Sequence, residues 1–205
     1  MKQIFPSSLG LYFITDSTLT KIPVEEQVKL ALKAGVKVIQ YREKNLSTKE
    51  MYEQAIKIRN LTKGKAIFII NDRIDICMAV NADGVHLGKN DIPYVYARRI
   101  LPEKIIGLST HNLQEALHAE KIVADYIAIG PIFPTETKKD HEKPVGIGNL
   151  KEISERIKTP LVAIGGINHA NLKEVLSTGI KNFVMISAII KNENIEENIK
   201  AVYSL

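Results

Sequence analysis

Apolar residues recur along the chain in two rhythms. One is a set of eight short runs: "LYFIT" (11–15), "KVIQY" (37–41), "AIFII" (66–70), "DGVHL" (83–87), "KIIGL" (104–108), "YIAIG" (126–130), "PLVAIG" (160–165) and "NFVMI" (182–186). They are rich in Ile and Val and apolar on both parities, which predicts parallel strands covered on both faces. The other rhythm is longer and amphipathic. "VEEQVKLALKAG" puts Val24, Val28, Ala31 and Leu32 on one stripe and ends in Gly35. "STKEMYEQAIKIRNLTKGK" opens on Ser47 with Glu50 three residues later, a capping box, and stops at Gly64. "HNLQEALHAEKIVA", "NLKEISERIKT", "HANLKEVLSTGI" and "NIEENIKAVYSL" follow the same logic. The helical segments "RIDICMAVN" and "IPYVYARRIL" are shorter.

Strand then helix, repeated eight times with no linker or change of composition, predicts a single closed (β/α)8 TIM barrel over residues 1–205. The rival is a doubly wound open sheet. It lacks support because "TDSTLT", not a G-x-G-x-x-G turn, follows the first strand. No apolar run approaches the roughly 20 residues a membrane span needs. The first residues, "MKQIFPSSLGLYFITD", lack a secretory core and cleavage site. One cysteine, Cys77, forms no internal disulfide, so a reducing cytoplasm is the expected setting. The net charge of +5 suits an anionic partner. Without basic blocks or interleaved aromatics, it does not suggest nucleic acid. Self-association into a homo-oligomer stays open.

In a parallel barrel, chemistry collects just past the strands, on one face. Polar residues that look misplaced cluster there. Gln40, Arg42 and Lys44 follow the second strand, Asn71 and Asp72 the third, and Asp91 the fourth. Ser109 and Thr110 end the fifth, and the sixth feeds a long polar loop with Thr135, Thr137 and Lys138. Gly165 and Gly166 follow the seventh, Ile186 and Ser187 the eighth. Each has a plainer reading: Asp72, Asp91 and Ser187 as helix caps, the basic trio as a solvated strand end, the glycines as a tight turn. Jointly they suggest more. Two carboxylates on neighbouring strand ends, with no His or Cys beside them, suit a hard cation such as Mg²⁺. Arg42, Lys44 and Lys138, with Gln40 and Asn71, would complete a diphosphate site. The glycines and the start of the helix after strand eight would form a monophosphate site. Two phosphorylated small-molecule substrates follow. Nothing resembles a nucleophile with an adjacent base, so a reaction driven by electrostatics is expected. His86, within a strand, and His118, in a helix, read as structural or solvated. His111 and His141 lie on the active face.

With these elements on the page, the chain resembles the thiamine phosphate synthase family. The likeness rests on "QYREK", "IIND", "ADGVHLGKND", "IIGLSTH", "YIAIGPIFPTETK", "VAIGGI" and "VMISAI", in that order over nearly the whole length. The resemblance implies a phosphate-binding barrel that couples a pyrimidine diphosphate to a thiazole phosphate and releases pyrophosphate. It also implies roles. Gln40, Arg42, Lys44, Asn71 and Lys138 would contact the diphosphate, and Asp72 and Asp91 would hold Mg²⁺. Tyr12 and Ser109 would lie near the pyrimidine, and Thr135, Thr137, Gly166, Ile186 and Ser187 on the thiazole side. Arg42, Lys44, Ser109 and Lys138 are the expected catalytic residues. The 130–146 loop is expected to act as a lid. Alternatives are a thiazole tautomerase of related fold, which needs neither the metal pair nor the basic trio, and a non-catalytic sensor of phosphate ligands.

Overall fold

A computed structural model describes residues 4–135 and 143–204. Eight parallel strands close a barrel in the order β1-β2-β3-β4-β5-β6-β7-β8, with β8 pairing back onto β1. They are β1 (Gly10–Ile14), β2 (Val38–Tyr41), β3 (Ile67–Asn71), β4 (Gly84–Leu87), β5 (Ile105–Thr110), β6 (Tyr126–Ile129), β7 (Leu161–Ala163) and β8 (Asn182–Phe183). The helices are α1 (Val24–Lys33), α2 (Thr48–Thr62), α3 (Ile74–Ala79), α4 (Tyr94–Ile100), α5 (Leu113–Lys121), α6 (Gly146–Arg156), α7 (Leu172–Ser177), α8 (Ser187–Ile190) and α9 (Ile195–Tyr203).

The expected helix signals act as read. Ser47 Oγ accepts the Glu50 N–H at 3.3 Å while Glu50 Oε2 accepts the Ser47 N–H at 2.9 Å, so the box opens α2. The eighth strand ends well before its apolar run does. "NFVMI" is strand only over Asn182–Phe183; the Val184 N–H still donates to the Ala163 carbonyl at 2.8 Å, and the run then leads to α8. Val184 and Met185 stay buried, which is why composition alone reads them as strand.

Burial on both strand faces produces two apolar clusters. The larger lies between sheet and helices and holds Leu11, Ile39, Phe68, Ile70, Val85 and Ile127. The smaller fills the barrel with Tyr12, Ile14, Val38, Ile69, Ile105, Tyr126, Ala128, Val162 and Val184. Phe5 enters from the N-terminal end and stacks on Tyr126 with ring centroids 4.2 Å apart. Asn182 clamps that segment: its Oδ1 accepts the Leu9 N–H at 2.7 Å and its Nδ2 donates to the Ser7 carbonyl at 3.2 Å.

Register explains one glycine. Gly107 of β5 sits opposite Tyr126 of β6. A Cβ there would lie 2.0 Å from Tyr126 Cζ, so the ring occupies the space that a side chain on β5 would fill. Gly107→Ala is therefore expected to lower the unfolding free energy by about 1–3 kcal/mol through overpacking. Gly148→Ala in α6 meets nothing within 4 Å. It should be neutral or stabilise by up to about 1 kcal/mol from helix propensity. Urea unfolding of the two variants checks the contrast; equal effects would mean that Tyr126 does not need the gap.

Candidate active site

The C-terminal ends of the strands surround one cavity of about 390 Å³. It is lined by Gln40, Arg42, Lys44, Asn71, Asp72, Asp91, Ser109, Thr135, Gly166, Ile186 and Ser187, so residues far apart in sequence meet at one rim. Tyr12 lies beneath them, 2% exposed, with its hydroxyl accepting from Gln40 Nε2 at 2.8 Å. Thr137 and Lys138, with His141, lie outside the described residues.

Neither aspartate is a helix cap. The residue before α3 is Arg73 and the one before α4 is Pro93, and neither helix start receives a side-chain cap bond. Asp72 instead adopts φ +60, a left-handed conformation that Asp tolerates better than most residues. Its N–H donates to the His86 carbonyl at 2.8 Å, and its carboxylate pairs with the Lys44 ammonium. Asp91 Oδ2 accepts the Gly88 N–H at 2.7 Å, which folds the turn after β4 back over the rim. The two carboxylates line the same cavity. Burial, and then the Asp72 charge, push the Asp91 carboxyl above its usual range, against the opposing pull of the Gly88 N–H and Lys44. This pair is short of positive charge, and its donors are oxygens. A small hard dication with one or two protein carboxylates fits that set. Among the described residues no cluster of three or more His, Cys, Asp or Glu side chains offers a fuller metal cage.

Arg42 is held by a residue that the strand-end reading passed over. Its Nη1 donates to Asp16 Oδ2 at 3.1 Å, and Asp16 is 4% exposed. Asp16 Oδ1 takes the Thr18 N–H at 2.8 Å and the Thr18 hydroxyl at 2.6 Å. The Asp16 carbonyl accepts from Gln27 Nε2 at 2.9 Å. A carboxylate tied at this many points gives the guanidinium one preferred direction. In sequence, no role is singled out for Asp16; only a partner from another strand marks it.

On the opposite flank, Gly165 and Gly166 have φ +96 and +68. A Cβ on Gly166 would lie 2.6 Å from the Pro134 carbonyl oxygen, and one on Gly165 2.5 Å from Pro131 Cβ. These glycines therefore serve more than a turn: the chain leaving β6 lies directly on them. Phe133 N–H donates to the Gly165 carbonyl at 3.0 Å, and Val145 N–H to the Pro131 carbonyl at 2.8 Å. The outgoing end of the long loop is thus pinned to the β7 turn, and the returning end to the outgoing one. His111 Nδ1 donates to the Gly130 carbonyl at 2.6 Å and supports the same neck. The lid expectation concerns mainly residues outside those described.

His86 also belongs to the site. It lines the cavity, and its Nε2 lies 2.9 Å from Ser109 Oγ. Its position in the middle of an apolar run concealed this, because strand parity shows which side a residue faces but not what waits there. His118 is in α5, away from the cavity walls.

With the geometry in place, comparison with known proteins is informative. Residues 11–189 match the family described as thiamine monophosphate synthase. A thiamine-phosphate synthase from Clostridium novyi is 50% identical over 189 residues, covering 91% of this chain and 93% of that one. One from Pyrococcus horikoshii is 49% identical over 193 residues, covering 94% and 92%. The structure of a thiamine phosphate pyrophosphorylase from Pyrococcus furiosus superposes with a TM-score of 0.89 at 43% identity, covering 97% of this chain and 95% of that one. A KDPGal structure at 16% identity and a TM-score of 0.73 shares the fold alone. A matching profile over most of the length, relatives near half identity and the same closed barrel agree: this chain belongs to the thiamine monophosphate synthase family.

Proposed function

We propose that the protein is a thiamine-phosphate synthase, a transferase. It joins 4-amino-5-hydroxymethyl-2-methylpyrimidine diphosphate to 4-methyl-5-hydroxyethylthiazole phosphate, or its carboxylated form, and releases pyrophosphate. The observation that supports the reading is that one cavity carries two polar flanks of different character, each suited to an anion. The carboxylate pair with Lys44 and Arg42 forms one flank, and the Gly165–Gly166 turn with Ile186 and Ser187 forms the other. Among the described residues, no protein acceptor is seen for the N–H groups of Gly165, Gly166 or Ser187, so they can donate to a phosphate.

In the reaction, the C–O bond between the pyrimidine methylene and the diphosphate breaks. The electron pair leaves with pyrophosphate, and the amino-pyrimidine ring delocalises the resulting cation. The thiazole nitrogen then forms the new C–N bond. Mg²⁺, held by Asp72 and Asp91, would supply charge to neutralise the diphosphate. Arg42, aimed by Asp16, and Lys44 bind the departing oxygens, with Gln40 and Asn71 as neutral donors. Lys138 joins them in this reading. Gly166, Ser187, Ile186, Thr135 and Thr137 hold the thiazole phosphate so that its nitrogen faces the methylene carbon. Ser109 lies between the two flanks and meets the pyrimidine.

No described helix is long and apolar enough to cross a membrane. The protein's partners, in this reading, are the two small phosphorylated substrates.

Mixing both substrates with Mg²⁺ should release one pyrophosphate per thiamine phosphate formed, read by a coupled phosphate assay. Thiazole isomer exchange without pyrophosphate would replace the proposal with the tautomerase reading. Asp91→Ala is expected to lower turnover by orders of magnitude. It should also abolish the rise in melting temperature that Mg²⁺ gives the wild-type protein. That rise should shrink as the pH falls, because the raised Asp91 pKa lets protons compete with the cation. An Mg²⁺-induced shift that survives in Asp91→Ala would place the ion elsewhere. Asp16→Asn should raise the KM for the pyrimidine diphosphate about ten-fold, the scale of one charge-assisted hydrogen bond, with kcat changed less. An unchanged KM in steady-state kinetics would show that Arg42 needs no such anchor.

A further inference from the structure

Below the cavity floor, a run of buried polar groups crosses the barrel from β2 to β5. Gln40 Nε2 donates to the Tyr12 hydroxyl at 2.8 Å. The Tyr12 hydroxyl lies 2.8 Å from that of Tyr126. The Tyr126 hydroxyl lies 2.9 Å from His86 Nδ1, and His86 Nε2 lies 2.9 Å from Ser109 Oγ. Gln40, Tyr12, Tyr126 and His86 are each less than 9% exposed, while Ser109 reaches the cavity. Four strands contribute besides the β5 serine, and Gly107 is the gap that admits the Tyr126 ring. Apolar side chains would fill this space at lower desolvation cost, so the polar run calls for a reason.

Proton counting supplies one. An amide N–H can only donate, so the Tyr12 oxygen accepts at its Gln40 side. The proton of Tyr12 then has one useful destination, the Tyr126 oxygen. Tyr126 must in turn donate to His86 Nδ1, which leaves the single proton of a neutral imidazole on Nε2, pointing at Ser109. The Ser109 oxygen accepts it, and its own O–H is free to turn into the cavity. Reversing every bond would aim the Tyr12 O–H at an amide N–H and strand a buried donor, at a cost of about 1–3 kcal/mol. Burial raises both tyrosine pKa values, so the two phenols stay protonated and able to donate.

We propose that Tyr126 and His86 are positioning residues that fix the direction of this chain, so that Ser109 meets the substrate as a hydrogen-bond donor. The matching ligand group is an acceptor, such as a ring nitrogen of the pyrimidine. The assignment of that ligand rests on the coupling function proposed above; the direction of the chain does not.

The test has two parts. Long-range ¹H–¹⁵N spectra of the ligand-free protein with labelled histidine read the His86 tautomer directly. Neutral His86 protonated on Nε2 is expected. A proton on Nδ1, or an imidazolium at neutral pH, would overturn the proposal without reference to any activity. The second part uses His86→Gln, whose amide N–H can still reach Ser109, and His86→Leu, which cannot donate. His86→Leu should lower kcat roughly 10-fold or more, the scale of one hydrogen bond to a buried group. His86→Gln should recover most of that loss. In both, the KM for the thiazole phosphate, set on the far flank, should stay near wild type. Equal losses in the two variants would overturn the proposal. Tyr126→Phe should let the pure Nε2–H signal become a mixture of tautomers, and an unchanged signal would count against it. If that variant fails to fold, the wild-type spectrum still decides. Absence of coupling activity in a protein showing the expected tautomer would count against the function alone.

Discussion

Closure of the eight-stranded parallel ladder is the constraint on which the rest depends. Because β8 pairs with β1, every strand runs the same way round a ring and all eight C-terminal ends reach one rim. Residues separated by as much as Gln40 and Ser187 then share a cavity that no local segment could build. Closure also sets the interior problem. The ring must be filled from within, and it is: Phe5 seals the N-terminal end, aliphatic residues and two tyrosines fill the middle, and only the far end stays open.

That interior has two layers of different character. The lower one is apolar and gives stability in the ordinary way, by removing area from water. The upper one is polar and satisfied: among the described residues, no buried side-chain nitrogen or oxygen lacks a partner. A satisfied network in a low-dielectric space holds its members in fewer orientations than an apolar layer would. Gln40 and Ser109 face the cavity from opposite ends of this network, so the floor connects two parts of the wall that lie on non-adjacent strands.

At the rim, charge is arranged in pairs before any ligand arrives. Lys44 meets Asp72, and Arg42 meets Asp16. Among the described residues Asp91 forms no ion pair of its own, and burial, then neighbouring Asp72, raise its pKa. The opposite flank uses backbone instead. Two glycines in left-handed conformations let the chain after β6 lie against the β7 turn, which holds the loop neck. One cavity thus joins two kinds of wall, one of paired side-chain charges and one of closely packed backbone.

Much of this was legible in the pattern of residues. Runs apolar on both parities meant strands buried on both faces, and their alternation with amphipathic segments meant a parallel barrel. The rule that chemistry follows the strands then singled out Gln40, Arg42, Lys44, Asn71, Asp72, Asp91, Ser109, Gly166 and Ser187, all of which line the cavity. Other features were not legible. Asp16 drew no reading at all, and His86 looked like a residue inside a strand, because what each does depends on a partner from another strand. Whether Asp72 and Asp91 cap helices or face each other was equally undecided in one dimension, since both uses fit the same spacing. The sequence by itself determined the order of elements and the residue types available at their ends, because these follow from local periodicity and turn chemistry. Only the tertiary structure decided which of those groups meet, which way Arg42 and Ser109 are held, and why Gly107 has no side chain, because such contacts arise from the register and closure of strands distant in the chain.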